Sequence, residues 1–309
     1  MIKVGLVGAR GYVGRELIKI LDADDRFDLS YASSRQLAGS RLGAQAGLGD
    51  LKRFAEFQSA ELSPADVAEE SADVVVLGLP NGKAPPYVDA LLEAGSQAVI
   101  IDLGADYRHK EGWVYGSPEI NASMILGAKK IANPGCYATA ANLALYPIRH
   151  LVHGHVSVFG VSGFSGAGTT PGPKNDPERL SSNVLPYGFG GHGHEAEVAT
   201  FTGLDIVFAP HVAPFFRGLV DTLTIPLSRP CSDTEIRELF ESAYANAKNV
   251  AISDEPPEAS AVAYTDQCVI GGFALSKNGR MLTVSSALDN LRKGAASQAL
   301  ENIVLALGL

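Results

Sequence analysis

The first 21 residues constrain the fold more than any other stretch. Ile2, Val4, Leu6 and Val7 form a short apolar run of strand length, Gly8-Ala9-Arg10-Gly11-Tyr12-Val13-Gly14 follows at once, and Leu17, Ile18 and Leu21 then recur at helical spacing. A strand that turns on glycines directly into a helix is the opening unit of a parallel, doubly wound sheet. Glycines let the backbone approach a pyrophosphate, and the helix that follows offers the positive end of its dipole to that charge. The spacing is GxxGxxG rather than GxGxxG. It predicts a dinucleotide site around Gly8, Gly11 and Gly14.

The same texture continues through the first half. Strands are predicted at 27–32, 73–79, 98–102 and 130–132, with a helical pattern at 87–93. From about residue 156 it changes: 156–161, 205–209, 219–227, 262–273 and 281–288 read as strands, but only some have helices between them. In 219–227 the apolar Leu219, Leu223, Ile225 and Leu227 share the run with Val220, Thr222 and Thr224, which suits a sheet covered on one face. The last segment, 289–307, reads as a helix returning to the first domain. The fold expected is α/β plus α+β: a Rossmann-like dinucleotide-binding domain made of 1–135 and 289–309, and a second domain, 136–288, on a largely antiparallel sheet, for catalysis, substrate binding and oligomerisation.

Composition narrows the partners. A chain of 309 residues with formal charge −9 and no cluster of lysine and arginine has no basic face for nucleic acid, so an anionic ligand must be met locally. The N-terminus lacks the pattern of a signal peptide and no apolar run has membrane-spanning length, which predicts a cytoplasmic protein with no membrane partner. The three cysteines, Cys136, Cys231 and Cys268, are far apart and form no CxxC pair, so neither a disulfide framework nor a zinc site is expected.

The second strand ends in Ser33-Ser34-Arg35, where NAD-selective enzymes usually carry an acidic residue. Hydroxyls and a guanidinium suit a 2′-phosphate, so the expected cofactor is NADP(H). In Asn133-Pro134-Gly135-Cys136-Tyr137-Ala138-Thr139-Ala140, proline and glycine end a strand and the residues after Cys136 are helix-forming. A thiol at a helix N-terminus has a lowered pKa and an available thiolate. Cys231, just before a helix cap, and Cys268, in an apolar strand, fit a packing role. His192 and His194, at the start of a helix, are the candidate acid/base pair, with His194 preferred because Glu195 and Glu197 follow it; no third ligand accompanies the HxH pair, and no metal is expected. Arg108 and Arg217, in glycine-bearing loops, are candidate clamps for a carboxylate or phosphate.

Taken in order, GARGYVGREL, LPNG, DLGADYR, YGSPE, NPGCYATA, SGFSGAG, HGHEAEV, APHVAPFFRG and DNLRKGAASQALEN span nearly the whole chain. This ordered set resembles the N-acetyl-γ-glutamyl-phosphate reductase family, within the wider group that includes aspartate-semialdehyde dehydrogenase. The resemblance implies NADPH-dependent reduction of an acyl phosphate to a semialdehyde through a Cys136 thioester, with His192 or His194 as acid/base, in a homo-oligomer of two or four chains. It implies cofactor contacts from Gly8, Arg10, Gly11, Tyr12, Val13, Gly14, Ser33, Ser34, Arg35, Pro80, Asn81, Gly166, Asn290 and Lys293, and substrate contacts from Arg108, Ser165, Tyr187, Asn133 and Glu197. The alternatives are a sibling reductase for an aminoadipyl or differently acylated glutamyl phosphate and a non-catalytic NADP-binding regulator. A short-chain dehydrogenase, suggested by Tyr244 and Lys248 in a YxxxK pattern, is disfavoured because that pair lies too late in the chain.

Overall fold

The computed structural model describes all 309 residues, Met1–Leu309. They divide into two compact units, one of Met1–Pro134 with Ala295–Leu309 and the other of Gly135–Gly294.

The first unit is built from β1 (Ile2–Val7), α1 (Tyr12–Asp22), β2 (Phe27–Ser33), α2 (Pro64–Glu69), β3 (Val74–Leu77), α3 (Pro85–Glu93), β4 (Val99–Asp102), β5 (Val114–Tyr115), α4 (Pro118–Ile125) and β6 (Lys130–Ala132). Its six strands lie in the order β2-β1-β3-β4-β6-β5, all parallel. β3 and β4 are buried along their whole length, as strands covered on both faces must be, and both are continuous apolar runs apart from Asp102. One face packs Leu17, Ile18 and Leu21 of α1 and Ile303 of the C-terminal helix (Ser297–Leu307) against Val4, Leu6, Val76 and Ile101. The other packs Val88 and Leu91 of α3 against Val75 and Leu77. Chain reversal over both faces leaves the loops at the carboxyl ends of the strands as the ligand-binding edge.

The second unit contains α5 (Cys136–Leu145), β7 (His155–Gly163), α6 (Pro177–Leu180), β8 (Leu185–Pro186), α7 (Gly193–Thr202), β9 (Asp205–Ala213), β10 (Leu219–Pro226), α8 (Asp233–Tyr244), β11 (Val250–Ser253), α9 (Ala259–Val262), β12 (Cys268–Leu275) and β13 (Met281–Leu288). The strand order is β11-β12-β13-β10-β7-β9-β8. The sheet is mixed: its centre is antiparallel, but β7 with β9 and β11 with β12 pair in parallel. β10 alternates buried and less buried positions, and Leu219, Leu223 and Ile225 lie on the covered face.

Two expected elements differ. The strand expected over 262–273 begins only at Cys268: Ala259–Val262 is a helical turn and Tyr264 is left-handed at φ 65, so Val262 is an apolar plug and not a strand residue. The helix expected over 289–307 begins at Ser297. Asp289 ends the strand run and takes the amides of Leu291 and Arg292 at 2.9 and 3.2 Å, and a π-type turn, Arg292–Ala296, intervenes. A carboxylate competing for backbone donors breaks helical bonding there although the apolar spacing continues.

Candidate active site

Every residue of α5 after Cys136 is buried, and Cys136 at its head is half-buried. Gly135 is the N-cap, extended at φ −74 and ψ 154, and its carbonyl receives Thr139 through both the amide (2.8 Å) and the hydroxyl (3.0 Å). The Gly135 amide donates to Glu197 Oε1 at 2.9 Å. Gly294 backs the cysteine, since a Cβ there would lie 2.7 Å from that of Cys136. The thiol is thus fixed at the positive end of a ten-residue helix, where a thiolate is favoured.

Cys136 opens into a cavity of about 210 Å³ with Tyr137, Ser162, Tyr187, His192 and His194 on its walls. The two imidazoles meet ring to ring at 4.8 Å and pack edge-on against Tyr137, at 5.7 Å for His194 and 6.2 Å for His192. His192 is the N-cap of α7, its Nδ1 accepting the His194 amide at 3.3 Å, a role that needs that nitrogen unprotonated. Burial, and then the charge of Lys174, hold its pKa below the ordinary value against the pull of Glu195. Tyr187 packs on His192 at 5.4 Å, and burial, with the Cys136 charge behind it, pushes its phenol up to about 12, so it stays a donor at neutral pH.

The glutamates that seemed to favour His194 are engaged elsewhere: Glu195 Oε2 accepts the Phe208 amide at 2.9 Å, and Glu197, 1% exposed, holds Gly135. Ser165 is 2% exposed and receives Asn290 Nδ2 at 2.8 Å, while Asn290 Oδ1 takes the Gly218 amide at 2.9 Å. Ser162, not Ser165, shares the cavity wall with Gly166. Lys293 is wholly buried beside Gly294. Arg217 is no ligand clamp: its guanidinium, 4% exposed, grips Asp289 through Nε at 2.7 Å and Nη2 at 3.0 Å. Sequence reading passed over Lys174 in the cavity wall and the buried Asp221; a lysine among prolines and glycines and an aspartate within a strand carry no pattern that marks them.

In the first unit the glycine turn is as tight as its spacing demands. Gly8 has φ 105, and a Cβ there would stand 2.1 Å from the Gly78 carbonyl; one at Gly14 would stand 2.5 Å from the Gly8 carbonyl. The amides of Gly8 and Ala9 donate to the Ser33 carbonyl, joining the turn to the end of β2. α1 starts at Tyr12 with no side-chain cap and no acid in its first turn, and Arg10, Tyr12 and Val13 are partly accessible there. This cradle fits a dinucleotide phosphate. Ser33 is turned inward, 4% exposed, with its Oγ taking the Leu62 amide at 3.1 Å; Ser34 and Arg35 remain accessible. Pro80 and Asn81 lie in the exposed loop after β3, where Asn81 Oδ1 takes the Ala105 amide. Arg108 donates to the carbonyls of Asn133 (3.1 Å) and Leu103 (3.3 Å), and the Asn133 side chain is buried between Ala295 and Asn302. No group of three or more His, Cys, Asp and Glu side chains is arranged to hold a metal ion, and no helix is long and apolar enough to cross a membrane.

Comparison with known proteins agrees with this division. Residues 3–128 match the family model of the semialdehyde dehydrogenase NAD binding domain and 136–290 that of the semialdehyde dehydrogenase dimerisation domain. The chain is 45% identical over 310 residues to an N-acetyl-gamma-glutamyl-phosphate reductase of Stenotrophomonas maltophilia, covering 99% of this chain and 95% of that protein. It is 44% identical over 315 residues to the mitochondrial protein arg-6 of Neurospora crassa, of which it spans 35% of the length. The fold is that of the crystal structure of aspartate semialdehyde dehydrogenase II complexed with ASA from Vibrio cholerae, with TM-score 0.78 at 18% identity over 99% of this chain and 98% of that one. With a cysteine at a helix head, two histidines beside it and this identity along almost its whole length, the chain belongs to the N-acetyl-γ-glutamyl-phosphate reductase family.

Proposed function

We propose that the protein reduces N-acetyl-γ-glutamyl phosphate to N-acetyl-L-glutamate 5-semialdehyde, releasing phosphate, with NADPH as reductant, as a step of arginine biosynthesis. The observation that carries this reading is the placement of Cys136 at the head of buried α5, in one cavity with His192 and His194.

The Cys136 thiolate attacks the acyl carbon; the C–S bond forms, the C–O bond to phosphate breaks, and a thioester remains. His194 takes the thiol proton and passes it to the departing phosphate. Bound NADPH supplies the hydride for reduction of the thioester. Reprotonated from solvent, His194 then protonates the oxygen and recovers the proton as the C–S bond breaks and the aldehyde leaves. His192, fixed as a neutral cap, positions His194. Tyr187 faces the substrate as a phenol donor. Arg108 is assigned to the substrate as well. Glu197, Ser165 and Asn133 act through the backbone and side chains they hold. The phosphates of NADP(H) are assigned to the Gly8–Gly14 cradle with Arg10, Tyr12 and Val13, its 2′-phosphate to Ser34 and Arg35, and its nicotinamide end to Pro80, Asn81, Gly166, Asn290 and Lys293.

The first unit is accordingly the cofactor domain and the second the catalytic domain and the site of homo-oligomerisation. The dimerisation-domain match and the exposed Phe159 (47%) and Val207 (51%) on neighbouring strands support the last role. Three cysteines, none of them in a disulfide, suit the reducing cytoplasm as the compartment.

The test is Cys136→Ser. It should abolish phosphate-dependent oxidation of N-acetylglutamate semialdehyde with NADP+ while NADPH binding persists, whereas Cys231→Ser remains active. A fully active Cys136→Ser enzyme, or a wild type that prefers another semialdehyde, overturns the proposal.

A further inference from the structure

Among the residues lining the Cys136 cavity, Lys174 is the one lysine or arginine, and no aspartate or glutamate lines it. The lysine sits in an irregular loop, yet that loop is knit together from within. Asn175 Oδ1 takes the Gly172 amide at 2.7 Å, and its Nδ2 donates to the carbonyls of Gly168 (3.0 Å) and Thr170 (2.8 Å). So held, Lys174 places its Nζ 4.5 Å from the centre of the Tyr187 ring, and its charge is felt by His192. A solvated lysine gains nothing from such a scaffold, whereas a cation held over an aromatic face, on a wall without a carboxylate, is preorganised for an anion.

On the reaction assigned above, the substrate brings two anions to this cavity. The phosphate is bonded to the carbon that Sγ attacks, so it sits at the floor, where Tyr137, Ser162 and Gly163 are buried. The α-carboxylate lies at the far end of the same carbon chain and faces the rim, where Lys174 is exposed. We propose that Lys174 is a substrate-specificity residue that pairs with the α-carboxylate of the acyl substrate. The pairing is the same in substrate, thioester and product, so it acts on KM and not on kcat.

The inference rests on the proposed reaction, and the test separates the two. Wild type, Lys174→Ala and Lys174→Arg are compared in the reverse direction with NADP+, first varying N-acetylglutamate semialdehyde at saturating phosphate, then varying phosphate. Lys174→Ala is expected to raise the KM for the semialdehyde about tenfold, the size of a partly exposed charged hydrogen bond. Its KM for phosphate should stay near the wild-type value, and Lys174→Arg should recover most of the loss. With 4-acetamidobutanal, the same aldehyde without the carboxylate, wild type and Lys174→Ala should be equally poor. A rise in the phosphate KM alone would make Lys174 a phosphate ligand, and unchanged constants would make it a solvated lysine; either result overturns the proposal. A wild type inactive on the semialdehyde would instead remove the reaction on which it rests.

Discussion

The amide of Gly135 is bonded to the carboxylate of Glu197 at 2.9 Å, which ties the residue ahead of the nucleophile to the helix that begins at the histidine pair. One hydrogen bond therefore sets both the register of Cys136 at the head of α5 and the position of α7. Replacing the acceptor leaves a buried amide unpaired, at a cost of about 1–3 kcal/mol. Glu197→Ala is expected to lower kcat roughly tenfold to a hundredfold, and to slow iodoacetamide labelling of Cys136. Glu197→Gln keeps an oxygen acceptor and should recover part of both. Labelling at the wild-type rate in Glu197→Ala would show that Glu197 does not position the thiol.

The two histidines should separate by substitution. His194→Ala is expected to cost about a hundredfold in kcat, the usual contribution of a general acid/base. His192 needs only an acceptor at the N-cap, and asparagine provides one, so His192→Asn should outperform His192→Ala, whose lost cap is worth about 1 kcal/mol. The pH dependence has a definite sign. The folded pKa of His192 lies below the ordinary value of 6.5, so its stabilisation is present above that value and is lost as pH falls through the lowered one. His192→Asn should lack this acid limb when thermal stability is followed from neutral pH downward.

Cofactor choice is assigned to Ser34 and Arg35, and not to the inward-facing Ser33. Arg35→Ala should raise the KM for NADPH about tenfold with little change in kcat, since a contact far from the hydride binds ground and transition states alike. Ser34→Asp combined with Arg35→Ala should narrow or reverse the preference over NADH. Ser33→Asp should instead lower the Tm, because it adds a carboxylate at a position only 4% exposed. Steady-state kinetics with both cofactors decide the first two, and a wild type indifferent to the 2′-phosphate contradicts the assignment.

Asp221 is wholly buried on the covered face of β10 and neither of its oxygens has a hydrogen-bond partner. It lies under Tyr137 and opposite Gly160, where an added Cβ would meet Asp221 Oδ1 at 2.7 Å and the Tyr137 ring at 2.6 Å. Burial holds its pKa well above that of an ordinary carboxyl. Folding therefore takes up a proton once the unfolded chain ionises near pH 4, and stability falls with rising pH by up to about 1.4 kcal/mol per unit until the folded group ionises too. Asp221→Asn removes that dependence, so its advantage in urea or thermal unfolding should widen between pH 5 and 8. A constant difference across that range would show that Asp221 is ionised in the fold.

The sequence by itself determined the parts that rest on local chemistry. A glycine turn between a strand and a helix has few backbone solutions, and β1, the cradle and α1 stand where the spacing places them. The strand breaker before Cys136 and the helix formers after it likewise determined that the thiol heads a helix. Tertiary structure alone decided which polar groups face a ligand. Arg217 and Arg108 occupy similar glycine-bearing loops, yet Arg217 is locked in an ion pair with buried Asp289 whereas Arg108 donates to the carbonyls of Asn133 and Leu103. Glu197 and Lys174 exchange their apparent ranks, the first buried under Gly135 and the second on the cavity wall. The physical reason is range. Backbone preference and helix capping act within a few residues, whereas burial and hydrogen-bond satisfaction are set by partners as far away as Asp289 is from Arg217, which no local pattern encodes.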